Sequence, residues 1–303
     1  MGICWVFPGQ GSQKLGMAAG LLDHPLGRDR FEMASDLLGR NLGQICSGSD
    51  QSNLDNANEL NDLNNTRNTQ PALFVLETLL IDLLYKQGKK ANLLAGHSLG
   101  ELVALYAGGV FEFETGLKLV IRRSELMAAA GGGAMAAVMG FNRKELEEAV
   151  ATTEGVVIAN DNSDAQVVLS GSKEALAAVL AAVSCKRAVP LAVSGAFHSP
   201  FMAAPAAAFS AELDAVPFRN SAVPILSNTN PSPCSDGNSL KQRLQQQMTS
   251  GVRWRETMLQ FDVAGIHTVV EVGPGAVLSG LLKRSLPALV TAQISGLQDL
   301  GLN

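Results

Sequence analysis

The chain has 303 residues, 47% of them hydrophobic and 17% charged, with a formal net charge of −5; this is the composition of a soluble globular protein, long enough for one large α/β domain or a domain with a smaller insert, and unlike disordered or collagen-like chains. The acidic balance argues against general nucleic-acid binding, which needs a basic stripe to displace counterions from phosphates, and no apolar run approaches the ~20 residues of a membrane-spanning helix. Four widely spaced cysteines, Cys4, Cys46, Cys185 and Cys234, form no C-x-x-C pair, so reduced thiols are expected rather than a disulfide framework or a zinc site. No basic residue precedes the apolar Ile3–Phe7 run, and Val6 stands where a myristoylation signal needs Ser or Thr, so a cytoplasmic protein is expected.

Ile3–Phe7, closed by Pro8-Gly9, has the pattern of a buried strand ending in a loop, and Pro8-Gly9-Gln10-Gly11-Ser12-Gln13 is that loop. Asparagines at 53, 56, 58, 61, 64, 65 and 68 favour turns and caps, which predicts a surface excursion from Asn53 to Asn68. Thr69-Gln70-Pro71 opens a helix, with Pro71 in the first turn and apolar residues at 73, 76, 80, 83 and 84 on one stripe. A second buried strand, Ala91–Ala95, runs into Gly96-His97-Ser98-Leu99-Gly100, after which Glu101–Ala107 reads as helix. Glu114–Ala130 is a longer helix broken by Gly131-Gly132-Gly133.

The rhythm then changes. Strand Ala134–Met139, helix Arg143–Ala151 after an Asn142 cap, strands Val156–Ala159 and Gln166–Leu169, helix Lys173–Val183 and strand Arg187–Val193 follow in turn. This β-α-β-β-α-β order predicts a ferredoxin-like small domain, residues 128–198, inserted into a large parallel-sheet α/β domain of residues 1–127 and 199–303. Beyond the loop Gly195-Ala196-Phe197-His198-Ser199-Pro200, Pro224–Ser227 and Thr268–Val272 read as strands. Leu240–Met248, Trp254–Ala264 and Ala276–Ser285 read as helices.

Gly96-His97-Ser98-Leu99-Gly100 fits G-x-S-x-G, in which a serine sits on a tight strand-to-helix turn whose glycines let two backbones pass closely. Its oxygen then lies at a helix N-terminus, where N–H groups and the helix dipole stabilise developing negative charge. A serine needs a base, and the chain has four histidines. His97 is adjacent to Ser98 and should point away, His24 lies in an early loop, and His267 leads into a strand. His198, in a loop just past the insert, is the candidate base, with a merely solvated loop histidine as the plainer alternative. An ordinary α/β-hydrolase places an acid and then a histidine late in the chain; no histidine follows His267, which disfavours a plain hydrolase. Asp161 and Asp164 stay open as a third member, although as residues of the insert they more readily cap its turns. Arg123 could hold a substrate carboxylate by two parallel hydrogen bonds. Because Arg122 points ~100° away on the same helix, only one of the two can face the site, and periodicity does not say which.

Taken together, Phe7-Pro8-Gly9-Gln10-Gly11-Ser12-Gln13, Gly96-His97-Ser98-Leu99-Gly100-Glu101, Arg123, Gly195-Ala196-Phe197-His198 and Glu271-Val272-Gly273-Pro274-Gly275 resemble the malonyl-CoA:acyl carrier protein transacylase family over nearly the whole chain. The resemblance implies a hydrolase-like α/β domain with a ferredoxin-like insert. It implies Ser98 as the acylated nucleophile and His198 as base and later acid. The N–H groups of Gln10 and Leu99 would form the oxyanion hole, and a main-chain carbonyl at Gln247 would orient the histidine. Arg123 would grip the malonyl carboxylate with Gln70 nearby, Asn162 would line the pocket, and Phe197 would exclude an α-methyl branch. One methyl is worth only ~1–3 kcal/mol, so that selection is incomplete. Singly, Gln10, Gln70 and Asn162 could serve only as caps or in an Asx-turn, and Phe197 could be core packing.

The implied reaction is a ping-pong transfer from malonyl-CoA to the phosphopantetheine thiol of an acyl carrier protein, by a monomer with no metal and no bound cofactor. Acidic carriers would meet a local basic patch, for which Lys89-Lys90, Arg143-Lys144, Lys186-Arg187 and Lys283-Arg284 are candidates. A thioesterase or esterase would keep Ser98 and His198 but have no use for Arg123. A malonyl transferase subunit of a malonate decarboxylase and a non-catalytic carrier-binding protein are further alternatives.

Overall fold

The computed structural model describes residues 2–48 and 61–302. Strand β1 (Gly2–Phe7) sends Trp5 and Phe7 into one apolar cluster and Cys4 and Val6 into another. Burial on both faces is why its sequence is an unbroken apolar run rather than an alternating one. With β2 (Leu93–Gly96), β7 (Ile225–Leu226), β8 (Ile266–Val272) and β9 (Val290–Ile294) it forms, among the described residues, a parallel sheet of order β7-β2-β1-β8-β9.

One face is covered by α3 (Thr66–Lys86), α4 (Leu99–Ala107) and α5 (Phe113–Ala129), whose Leu73, Phe74, Leu102 and Leu117 are fully buried in the main core. The other face carries α10 (Trp254–Val263) and α11 (Val277–Ser285), packed through Trp254, Met258, Phe261, Leu278 and Leu282.

Between β2 and β7 in the chain lies an antiparallel sheet of β3 (Ala134–Phe141), β4 (Val156–Ser163), β5 (Gln166–Gly171) and β6 (Cys185–Pro190), in the order β4-β5-β3-β6. Helices α6 (Arg143–Thr152) and α7 (Lys173–Ala182) cover one face, where Ala136, Val138, Val167 and Leu169 meet Leu146, Leu176 and Val179. On the other face Met135, Ala159 and Val168 join the main core, so the inserted sheet is packed onto the large one. The β-α-β-β-α-β order read from the sequence is the order of this insert.

Several boundaries differ from the sequence reading. The helix expected to open at Thr69 starts at Thr66, capped by the Asn65 side chain accepting from Arg67 N–H. Pro71 therefore lies inside it, leaving the Arg67 carbonyl without its helical donor; Arg40 Nη2 donates to that oxygen instead, at 2.9 Å. Strand β6 starts and ends earlier than Arg187–Val193. The edge strand β9, with three of its five residues exposed and a Thr and a Gln among the five, presents no clear apolar run. Helices α1 (Pro25–Leu38), α2 (Leu42–Ser47) and α8 (Ala203–Asp214) were likewise not anticipated, α8 because its alanine-rich sequence has no distinct stripe. Of the expected asparagine excursion, Asn53, Asn56 and Asn58 lie outside the described residues. Gly131, Gly132 and Gly133 all take left-handed φ (53°, 72° and 73°) where α5 gives way to β3, a conformation costly for residues bearing a Cβ. Among the described residues no helix is long and apolar enough to cross a membrane.

Candidate active site

The site stands at the carboxyl end of the parallel sheet, where β2 ends at Gly96 and α4 begins at Leu99. Two residues make the turn, and Ser98 takes φ 54° and ψ −105°, a backbone state that costs of the order of 1–3 kcal/mol and persists only when its surroundings enforce it. The glycines do so by absence. A Cβ at Gly96 would lie 1.8 Å from Gly100 O, one at Gly100 would lie 2.1 Å from Phe7 O, and one at Gly9 would lie 2.4 Å from His97 O. The loop after β1 thus rests directly on the serine turn.

His198 reaches the same point from the loop following β6. Its backbone is also left-handed, at φ 55°, and its Nε2 is 2.7 Å from Ser98 Oγ. Nδ1 faces two main-chain carbonyls, Gln247 O at 2.9 Å and Ser250 O at 3.2 Å. Carbonyls only accept, so Nδ1 carries the proton and Nε2 is left to accept from the serine hydroxyl. Asp161 and Asp164 do not serve as a third member: Asp161 holds Arg143 and Arg255, each at 2.9 Å, and the exposed Asp164 flanks the same two arginines.

Arg123 is fully buried on α5, whereas Arg122 points outward to Glu125 and Glu212. The Arg123 guanidinium donates from Nη1 to Gln70 Oε1 at 2.7 Å, and from Nη2 to Gln247 Oε1 at 2.8 Å and to Ser98 Oγ at 3.2 Å. Gln70 is held in turn by donating to Met127 Sδ. Gln247 also donates to Ser98 O at 2.9 Å and to the buried carboxylate of Glu101 at 2.6 Å.

These groups shift one another's charge. Burial, and next the Arg123 cation, pull His198 down to about 3, against the opposing pull of the Gln247 carbonyl. Burial brings Arg123 down to about 10, with Glu101 acting the other way. Burial pushes Glu101 up, countered by the hydrogen bond from Gln247.

The remaining expected residues lie around this centre. Among the described residues the amides of Gln10 and Leu99 have no protein acceptor, Leu99 because it is the first residue of α4. Gln10 is anchored by its side chain, which donates to Thr66 Oγ1 at 3.0 Å. Asn162, nearly buried on β4, bonds the His97 ring at 2.9 Å, and that ring packs against Trp254. Phe197 is buried in the main core. Sequence reasoning missed Asn228, whose side chain bonds both Gly96 O and Ser98 N–H, and the Ser250 carbonyl; no motif or spacing marks either.

A strand, a strained serine, a carbonyl-oriented histidine and a buried arginine are thus gathered from chain segments 25 to 149 residues apart. The acyl transferase domain family matches residues 4–298. The chain belongs to that family. This acyltransferase is 49% identical over 300 residues to the malonyl CoA-acyl carrier protein transacylase of Synechocystis sp. PCC 6803, covering 99% of both chains. The crystal structure of the Synechocystis sp. PCC 6803 malonyl-CoA:ACP transacylase superposes with a TM-score of 0.93 at 48% identity, again over 99% of each chain. A malonyl-transacylase solved in complex with its type II polyketide synthase acyl-carrier protein superposes with a TM-score of 0.89 at 35% identity, over 99% of this chain and 98% of that one.

Proposed function

We propose that the protein is a malonyl-CoA:acyl carrier protein transacylase that carries malonyl on Ser98. The observation that bears this reading is the hydroxyl of Ser98, 2.7 Å from His198 Nε2 and 3.2 Å from a buried guanidinium. Ser98 Oγ attacks the thioester carbon and its proton passes to His198 Nε2. The amides of Gln10 and Leu99 receive the oxyanion; the C–S bond breaks, and His198 protonates coenzyme A's departing sulfur. The carrier's phosphopantetheine thiol then gives its proton to His198 and attacks the malonyl-serine; the Oγ–acyl bond breaks, Ser98 Oγ takes the proton back from His198, and malonyl leaves as the carrier's thioester. The Gln247 and Ser250 carbonyls keep the imidazole in the required tautomer, replacing the carboxylate of a Ser-His-Asp triad.

Arg123 gives the site its acyl preference. Its side chain is pre-set by Gln70 and Gln247, so a malonyl carboxylate meets an ordered guanidinium fork in a desolvated pocket. Phe197 and Asn162 shape the remaining pocket. The reaction as written needs no metal and no resident cofactor beyond its two thioester partners. Residues 128–198 serve as the small domain and 1–127 with 199–303 as the large one, and the reactants enter between them. The four free cysteines suit a reducing compartment.

Incubation with radiolabelled malonyl-CoA followed by peptide mapping tests the reading: the label should sit on Ser98, and a label elsewhere, or none, overturns it. A malonyl-serine that hydrolyses rapidly without carrier would favour the thioesterase alternative.

A further inference from the structure

Strands β2 and β7 pair only through Leu94↔Ile225 and Ala95↔Leu226. Beyond Leu226 the β7 backbone leaves the sheet, yet β2 still has the Gly96 carbonyl and the Ser98 amide to satisfy at its end. Asn228 supplies both partners from one side chain: Nδ2 donates to Gly96 O at 2.6 Å, and Oδ1 accepts from Ser98 N–H at 2.7 Å. In a parallel ladder one peptide-bearing residue bonds the residues before and after its neighbour, and 96 and 98 flank 97 in this way. The carboxamide is therefore a side-chain rung that continues the ladder through the turn where the backbone cannot.

The rung is itself fixed. Asn228 is 1% exposed; its own N–H donates to Glu101 Oε2 at 3.2 Å, and its carbonyl accepts from Arg253 N–H at 3.1 Å. Its backbone is thus held from both sides while its side chain spans the serine turn. Bonding Ser98 N–H also removes that amide from the reaction, leaving the next one, Leu99, as the free donor at this turn.

We propose that Asn228 is a positioning residue whose carboxamide clamps the strained Ser98 turn and so aims Oγ at His198. The proposal rests on Ser98 being the nucleophile. Without the clamp, Ser98 N–H and Gly96 O lose their partners and the turn relaxes toward ordinary φ, which re-aims the hydroxyl. A misplacement of ~1 Å costs on the order of 100-fold in rate. Asn228 Oδ1 also accepts from Gln247 Nε2, at 3.5 Å, but that nitrogen keeps Ser98 O and Glu101 as shorter partners and Arg123 is held by Gln70 and by Gln247 Oε1, so the carboxylate grip should survive.

The test compares wild type with Asn228→Ala and with Asn228→Asp, which is isosteric, keeps an acceptor for Ser98 N–H and places a second oxygen against Gly96 O. Steady-state malonyl transfer is read beside the rate at which a small fluorophosphonate labels Ser98, a reaction that uses neither malonyl nor carrier. Both variants should lose about 100-fold in kcat and in labelling rate, with the malonyl-CoA KM within about threefold of wild type. A purely structural role would lower Tm while the folded enzyme turned over normally; folded variants with kcat and labelling within about threefold of wild type would therefore overturn the proposal. If Asn228→Ala does not fold, Asn228→Asp decides alone. Wild type that labels at Ser98 but transfers no malonyl removes the malonyl reading and leaves the clamp standing, whereas wild type unlabelled at Ser98 overturns the clamp.

Discussion

Arg123 donates to three oxygens, two from glutamines and one from Ser98. On the proposed reading a malonyl carboxylate would compete for this fork, and only a dicarboxylic acyl group carries one. Removing one partner of a buried, hydrogen-bonded charge pair costs about 2–5 kcal/mol, or roughly 30- to 5,000-fold. Arg123→Ala should therefore depress kcat/KM for malonyl-CoA by that order, and acetyl-CoA far less; equal losses on both substrates would refute the grip. His198 offers a second check. With its pKa drawn from the ordinary 6.5 to about 3 by burial and by Arg123, it is neutral and able to accept a proton throughout the range above about pH 4. Single-turnover acylation measured from pH 5 to 8 should show no inflection near 6.5. Stability moves in the opposite sense to that of a partnered histidine. Between about 6.5 and about 3 the unfolded chain binds a proton that folded His198 refuses, so stability falls as pH drops through that window. Denaturant unfolding at pH 7.5 and pH 5 should show a smaller loss in His198→Gln than in wild type.

At the scale of the element, the serine turn and α3 both depend on backbone contacts supplied from elsewhere in the chain. The strand-to-helix turn closes because Gly96 and Gly100 bring main chains within the radius that a Cβ would occupy. Gly96→Ala should accordingly abolish fluorophosphonate labelling of Ser98 even in protein that remains folded by circular dichroism. Helix α3 tolerates Pro71 because Arg40 donates to the carbonyl that the proline strands. Arg40→Ala should lower the unfolding free energy by about 1–3 kcal/mol. In a Pro71→Ala background the same change should cost less, since the alanine restores a backbone N–H that can reach Arg67 O; a double-mutant cycle without coupling would contradict this account.

Across the whole molecule, the stretch from Gln247 to Arg255 joins what the chain order separates. Val252 pairs with β4 through Ala159 O and Asp161 N–H, Arg255 holds Asp161, and the carbonyls of Gln247 and Ser250 hold His198. The insert, the histidine loop and the parallel sheet thus meet at one segment. Surface charge is sorted by the same architecture. Lys89-Lys90 precedes β2 and so lies at the amino end of the sheet, opposite Ser98, while Arg143 and Lys144 are paired with acidic neighbours. Lys283-Arg284, in the last turn of α11 ahead of β9, lies at that same amino end. Among the described residues Lys186-Arg187, exposed on β6, forms no ion pair, which makes it the better candidate to meet an acidic carrier. Reversing Lys186 and Arg187 to glutamate should raise the carrier KM about tenfold while leaving the single-turnover acylation rate from malonyl-CoA near wild type.

Local pattern was enough for what local physics controls. An apolar run buried on both faces, glycines where two backbones nearly touch, and a β-α-β-β-α-β rhythm are consequences of neighbours in the chain, so β1, the serine turn and the insert were legible from residue order. Edge strand β9, with three of five residues exposed, and alanine-rich α8 were not, because neither displays a face. Which of Arg122 and Arg123 turns inward, which histidine reaches Ser98, that carbonyls rather than Asp161 orient it, and that Asn228 closes the turn are all contacts between residues tens to more than a hundred positions apart. Such contacts depend on how the sheets and their loops pack, and hydrogen-bond partners chosen in that way leave no period or spacing in the sequence to read.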